Sequence, residues 1–93
     1  MRKIERSSPF KRDRKRIKAT PKHRDLDSVL LPILALLIAD ESLPENNRDH
    51  PLSGEWVGYW ECHIKPDLLL IYRKSGEDML RLARLGPHAE LFG

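Results

Sequence analysis

A single cysteine, Cys62, is all that this 93-residue chain carries. Neither an intrachain disulfide nor a cysteine cluster for zinc can therefore staple the fold, and a reducing compartment is its natural home. Long apolar runs are missing as well. The best of them, Val29 to Ala39, is interrupted by Pro32 and falls far short of the roughly 20 residues that cross a bilayer. The opening Met-Arg-Lys-Ile-Glu-Arg is too charged to begin an apolar signal segment. A soluble, cytoplasmic protein with no membrane partner is expected. The basic N-terminus does not change this, because its apolar content is thin and its cations surround most of a helix. A large core is also excluded: one domain over residues 1–93 can bury only about 60 to 65% of its unfolded surface.

What the chain does have is charge, unevenly placed. Residues 1–24 hold eleven Lys and Arg against Glu5 and Asp13, a net of +9, while residues 25–93 hold six basic and twelve acidic groups, a net of −6. At physiological salt the screening length is roughly 8 Å, so the basic segment can hold a nucleic acid or an acidic protein only in direct contact. Lys11, Arg12, Lys15, Arg16 and Lys18 are the candidate nucleic-acid-binding cations, and a solvated face that keeps the protein soluble is the bland alternative.

A short strand is predicted around Lys3 to Ser7. Ser7 or Ser8 can then cap a helix that has Pro9 in its first turn, shares a buried face between Phe10 and Ile17, and ends near Thr20-Pro21. A second helix is expected from Asp25 or Asp27, burying Leu26, Val29, Leu30, Ile33, Leu34, Leu37 and Ile38 at three- and four-residue spacings. Pro32 either kinks it or marks a start just upstream. Asp40 to Gly54 reads as a long polar loop carrying His50. After Gly54 the period becomes two, placing Trp56, Trp60, Cys62 and Ile64 on one face and Val57, Tyr59, Glu61 and His63 on the other, with Gly58 allowing a bend. Turns at Lys65-Pro66-Asp67 and Ser75-Gly76-Glu77-Asp78 delimit strands from Leu68 to Arg73 and from Met79 to Leu85. The result is an α+β chain in two layers, an antiparallel meander packed on two N-terminal helices, with the other sheet face free to hold a site.

His50, His63, Asp67 and His88 are titratable groups that can move protons if the fold gathers them. Beside a basic surface they suit a phosphate substrate, and hence RNA cleavage. Read singly, each has a plainer explanation: a surface histidine, or an aspartate that completes a turn. Three histidines and an aspartate could also ligate zinc, but no compact ligand spacing demands it, so neither metal nor cofactor is expected. Arg84 can stabilise charge on a phosphate, or balance Glu61 or Glu90. Phe92 can dock the C-terminus or touch a base, and Trp56 is expected to be structural.

The stretch Asp49-His50-Pro51-Leu52-Ser53-Gly54-Glu55-Trp56-Val57-Gly58-Tyr59 resembles the YafQ branch of the RelE-like bacterial toxins. Glu61 to Tyr72 continues the resemblance, and Arg84-Leu85-Gly86-Pro87-His88-Ala89-Glu90-Leu91-Phe92-Gly93 closes it. Three long blocks occurring in order make it specific. It implies a RelE-like two-layer microbial RNase fold and a ribosome-dependent endoribonuclease that cuts mRNA in the decoding site. A cognate antitoxin is implied as partner, with a toxin–antitoxin hetero-oligomer possible. It also implies that His50, His63, Asp67 and His88 occupy active-site positions, that Arg84 holds the scissile phosphate and that Phe92 positions RNA. The chemistry is consistent with this: a 2′-hydroxyl attacks its own phosphate once a base removes the proton, while an acid protonates the leaving 5′-oxygen. His88 is the expected acid, Asp67 or His63 the base, and His50 a further proton-transfer or positioning group.

Three positions depart from the family pattern. Trp60 stands where arginine is usual, Leu68 where tryptophan is common, and Pro87 where a small hydroxyl residue precedes the histidine. A noncatalytic ribosome- or RNA-binding protein of the same fold is the alternative from a different class, and a domain whose cationic helix receives an acidic antitoxin segment is a third.

Overall fold

The computed structural model describes residues 1–92; Gly93, the last residue of the third matching block, lies outside them. The chain opens with strand β1 (Lys3–Arg6) and turns at Ser7 into helix α1 (Ser8–Lys18). The Ser7 hydroxyl explains the abruptness of that turn. Its oxygen accepts the Phe10 N–H at 3.1 Å, capping the helix, while its own O–H is donated to the Ala83 carbonyl at 2.7 Å. Pro9 occupies the first turn, where no intrahelical N–H is needed, and Lys15, Arg16 and Lys18 crowd the last turn, where the helix dipole favours cations.

After a 3-10 turn at Pro21–His23, helix α2 (Leu26–Ile38) runs through Pro32. The helix starts well ahead of the proline and does not stop at it, and Pro32 lies on the exposed side. Having no N–H, Pro32 leaves the Ser28 carbonyl without its helical donor. The helix ends in a Schellman arrangement: Asp40, at φ 57°, donates its N–H to Leu37, and Glu41 donates to Leu36. The left-handed turn aims the Asp40 carboxylate at Arg2 and Lys74, each 2.8 Å away. Their hydrogen bonds, that of Lys74 foremost, pull its pKa down to about 2.

The remaining strands are β2 (His50–Pro51), β3 (Trp60–Lys65), β4 (Leu68–Ser75) and β5 (Met79–Gly86), followed by helix α3 (His88–Phe92). The sheet order is β1-β5-β4-β3-β2, with β1 parallel to β5 and every other pair antiparallel. The expected meander is therefore β3-β4-β5. Between its helical layer and the sheet lies the main core, built from Phe10 and Ile17 of α1, Leu26, Leu30, Ile33, Leu34 and Leu37 of α2, and Cys62, Ile64, Leu70 and Leu82 among the strand residues. The opposite face is not bare. Leu69, Ile71, Ala83 and Leu91 form a second buried cluster on which Leu52, Trp56, Tyr59 and Phe92 pack. Burial from both sides is why Leu68 to Tyr72 is a continuous apolar run and not an alternating one.

Three local expectations need correction. The strand does not begin after Gly54: Gly54 (φ 67°) and Gly58 (φ 91°) take left-handed conformations, so a 3-10 turn at Gly54–Trp56 precedes β3. The alternation therefore starts only at Trp60, and Trp56 belongs to the second cluster, edge-on to Tyr59 with ring centroids 5.3 Å apart, not to the face of Cys62 and Ile64. Finally, the loop from Asp40 to Gly54 contains a 3-10 turn at Glu45–Asn47 and the short strand β2, so His50 sits on a sheet edge rather than in irregular loop.

Candidate active site

Strand pairing decides which side chains meet. His50 lies directly opposite Glu61 in the β2–β3 pair, and His63 lies two residues beyond Glu61 on the same face of β3. Both imidazoles close on one carboxylate: Nε2 of His50 and Nε2 of His63 are each 3.6 Å from Oε1 of Glu61. Glu61 is only 5% exposed, an unusual depth for a carboxylate with no Lys or Arg within ion-pair distance among the described residues.

The backbone around this trio is irregular in ways that hold it. The β3–β4 register shifts between His63 and Lys65, a bulge next to the His63 ring. Asn47 braces it by donating from Nδ2 to the His63 carbonyl at 2.7 Å. Arg48 adopts a left-handed φ of 48° and turns its carbonyl toward Nδ1 of His50 at 2.7 Å. A carbonyl only accepts, so Nδ1 carries the proton and Nε2 is the nitrogen facing Glu61. Next door, Tyr72 donates its hydroxyl to Asp49 at 2.5 Å, anchoring the residue before His50 to β4. Burial and that carboxylate both raise the pKa of the Tyr72 phenol. Beside the His63 ring, Asn46, Arg48 and Pro66 complete a depression of about 250 Å³.

The other expected residues lie at the same end of the sheet but outside this trio. His63, Leu69 and Gly86 form one row across β3, β4 and β5. Asp67 is two residues before Leu69 and His88 two after Gly86, so both flank that row, and two strand spacings separate His63 from the β5 end by roughly 10 Å. Asp67 is paired with Lys22 of the 3-10 turn, whose hydrogen bond holds its carboxyl below the ordinary range. His88 opens α3 and packs its exposed ring on Phe92, 4.9 Å between centroids and tilted 41°. Phe92 docks on the second apolar cluster, the first of the two jobs foreseen for it, and its ring lies against that of His88.

Arg84 is committed within the fold. A bulge at Ala83 shifts the β4–β5 register, and the Arg84 guanidinium meets buried Asp13 of α1 through Nε at 2.7 Å and Nη2 at 3.2 Å. Asp13 also accepts the Leu85 N–H at 3.0 Å and Arg16 at 3.1 Å. Burial alone would raise the Asp13 pKa, but the Arg84 and Leu85 hydrogen bonds and the Arg84 charge outweigh it and leave it lowered. Neither Glu61 nor Glu90 is the partner of Arg84.

Of the cationic residues on α1, Arg16 is shared between Asp13 and Glu90, and Lys18 is paired with Asp27. Lys11, Arg12 and Lys15 are exposed and, among the described residues, make no ion pair. The departures from the family pattern sort by position. Leu68 is wholly buried in the main core, Trp60 is 40% exposed at the start of β3, and the Pro87 carbonyl receives the Glu90 and Leu91 N–H groups at the start of α3. Among the described residues no three His, Cys, Asp or Glu side chains converge on a point suited to a metal ion, and no helix is long and apolar enough to cross a membrane.

Glu61 is the residue that the sequence did not single out. Its signal was the period-two placement with His63, but the meeting with His50 depends on a two-residue strand that no pattern announces.

Comparison with known proteins places the chain in a family. The family described as "Bacterial toxin of type II toxin-antitoxin system, YafQ" matches residues 2–93. The mRNA interferase toxin YafQ of Escherichia coli is 38% identical over 92 residues, covering 99% of this chain and 97% of that protein. A crystal structure of YafQ from E. coli superposes with a TM-score of 0.86 at 38% identity, covering 100% of both chains. YafQ in the crystal structure of the E. coli DinJ-YafQ toxin-antitoxin complex superposes with a TM-score of 0.84 at 40% identity, covering 99% of this chain and 98% of that one.

Proposed function

This chain belongs to the YafQ toxin family of the RelE/ParE superfamily, and we propose on that footing that it is an endoribonuclease cleaving mRNA in the ribosomal A site, neutralised by a cognate antitoxin. The observation that carries the catalytic reading is the convergence of His50 and His63 on a buried carboxylate, at the sheet end that also bears Asp67 and His88. Imidazoles exchange protons near neutral pH, and the reaction needs one proton taken from the 2′-hydroxyl and one given to the 5′-oxygen. The internal hydroxyl is already tethered to the phosphate, so holding it in line supplies much of the acceleration.

His63 is the better base of the two considered, because the Lys22 hydrogen bond lowers the Asp67 pKa and a carboxylate of lowered pKa is a poor proton acceptor. His88 is the acid, set across two strand spacings where the leaving 5′-oxygen would lie. His50 assists as a proton-transfer or positioning group. Arg84, with two of its nitrogens given to Asp13, offers its remaining edge to a nonbridging oxygen. Phe92 positions the RNA. Lys11, Arg12 and Lys15, with Arg16 and Lys18 behind them, provide the cationic face for ribosomal RNA.

The test is cleavage of mRNA on purified, programmed ribosomes in the presence of a chelator, with both product ends mapped. The expected products carry a 2′,3′-cyclic phosphate, or the 3′-phosphate left by its hydrolysis, and a 5′-hydroxyl. Ribosome binding without cleavage at any A-site codon would leave the noncatalytic binding protein as the reading.

A further inference from the structure

Buried carboxylates normally sit beside a cation, because the cost of removing the charge from water must be met by donors. Glu61 is 5% exposed, and the groups that approach its carboxylate are the two imidazole nitrogens. At 3.6 Å neither contact is a completed hydrogen bond, a spacing common in unloaded active sites that tighten on binding substrate. Both nitrogens address the same oxygen, Oε1, and both are Nε2.

The consequence differs for the two rings. His50 already spends Nδ1–H on the Arg48 carbonyl, so any second proton it takes up goes to Nε2 and faces Glu61. Among the described residues His63 has no such partner for Nδ1. A carboxylate opposite Nε2 favours the proton there, which leaves Nδ1 as the basic nitrogen of a neutral ring. Orientation of an imidazole by a buried carboxylate is the arrangement that fixes the tautomer of a catalytic histidine in other hydrolytic sites.

We propose that Glu61 is a positioning residue for the cleavage reaction: its buried carboxylate holds His63 in the Nε2–H tautomer, with Nδ1 as the base, and accepts from Nε2 of His50 when that ring takes up its second proton. This rests on the endoribonuclease reading of the site. Glu61 does not itself touch the RNA; it acts through the two rings.

Two measurements test it. In the free protein, 15N shifts of the histidine side chains report the tautomers. His63 is expected as the Nε2–H form in the native chain, to lose that preference in Glu61→Gln, and to recover it in Glu61→Asp. On saturating programmed ribosomes, Glu61→Gln is expected to lower the cleavage rate about 100-fold with ribosome affinity unchanged, and Glu61→Asp to restore part of the rate. A native His63 in the Nδ1–H form would overturn the proposal, as would Glu61→Gln cleaving at the native rate. Loss of rate in Glu61→Gln with unaltered tautomers would also overturn it, since that is what a purely structural residue gives. The tautomer measurement uses no ribosome, so it stands apart from whether the chain cleaves mRNA.

Discussion

Asp13 shows at the scale of one residue how far charge counting goes. In the sequence it is one of two acids in a basic segment; in the fold it is a buried acceptor for Arg84, Leu85 N–H and Arg16. Seventy-one residues separate it from Arg84, and nothing local betrays the pairing. Glu61 escaped notice for the same reason, whereas His50, His63, Asp67 and His88 stood out as candidates because their residue types and flanking blocks mark them. Replacing Asp13 with Asn removes the charge from a well-made set of donors, and a loss of about 2 to 3 kcal/mol in unfolding free energy is expected in denaturant titrations. Since the Asp13 pKa is lowered from 3.8 in the folded state, its contribution is fully present above that value and is lost as pH falls through the folded one. The stability gap between native and Asp13→Asn proteins should accordingly close in strong acid. An equal gap at every pH would contradict the paired role.

At the scale of elements, both long helices were readable from their apolar spacing and start signals. Ser7 and Pro9 announced α1, and the spacing from Leu26 to Ile38 announced α2. Short elements were not. Strand β2 is two residues long and exists because β3 offers an edge, and the glycine conformations at Gly54 and Gly58 replaced an apparent alternation with a turn. Ser7→Ala should cost about 1 to 2 kcal/mol, seen as a lower thermal midpoint, because the cap of α1 and the bond to Ala83 go together. Pro32→Ala should act in the opposite sense: it returns a donor to the Ser28 carbonyl on an exposed helix face, and a gain of about 1 to 2 kcal/mol is expected. At the end of α2, Asp40→Asn keeps a residue tolerant of left-handed backbone but removes the charge. With the Asp40 pKa held at about 2, the native advantage over the variant is present above 3.8 and fades as pH drops toward 2. Acid titration of both proteins checks it.

For the whole molecule, the two-layer plan followed from the pattern: helices with one apolar side, strands that need a cover, and a free face. The pattern concealed that the second face carries its own apolar cluster, so the candidate residues gather at the end of the sheet and not across its middle. That cluster sets the floor on which Phe92 rests, with the exposed His88 ring against Phe92, while Lys11, Arg12 and Lys15 lie on the helical layer. The residues proposed for binding and those proposed for cleavage thus sit on different elements. Replacing Lys11, Arg12 and Lys15 with Gln should weaken ribosome affinity and reduce the slope of log affinity against log salt by about 2 to 3, with cleavage of the bound message nearly unchanged. An unaltered slope would assign those cations to solvation alone.

The most direct measurement is the single-turnover rate of mRNA cleavage on saturating programmed ribosomes for the native chain and for His63→Ala and His88→Ala. Each variant is expected to bind ribosomes as the native chain does and to cleave on the order of 100-fold more slowly or worse. Native cleavage rates in both variants would contradict proton transfer by these histidines.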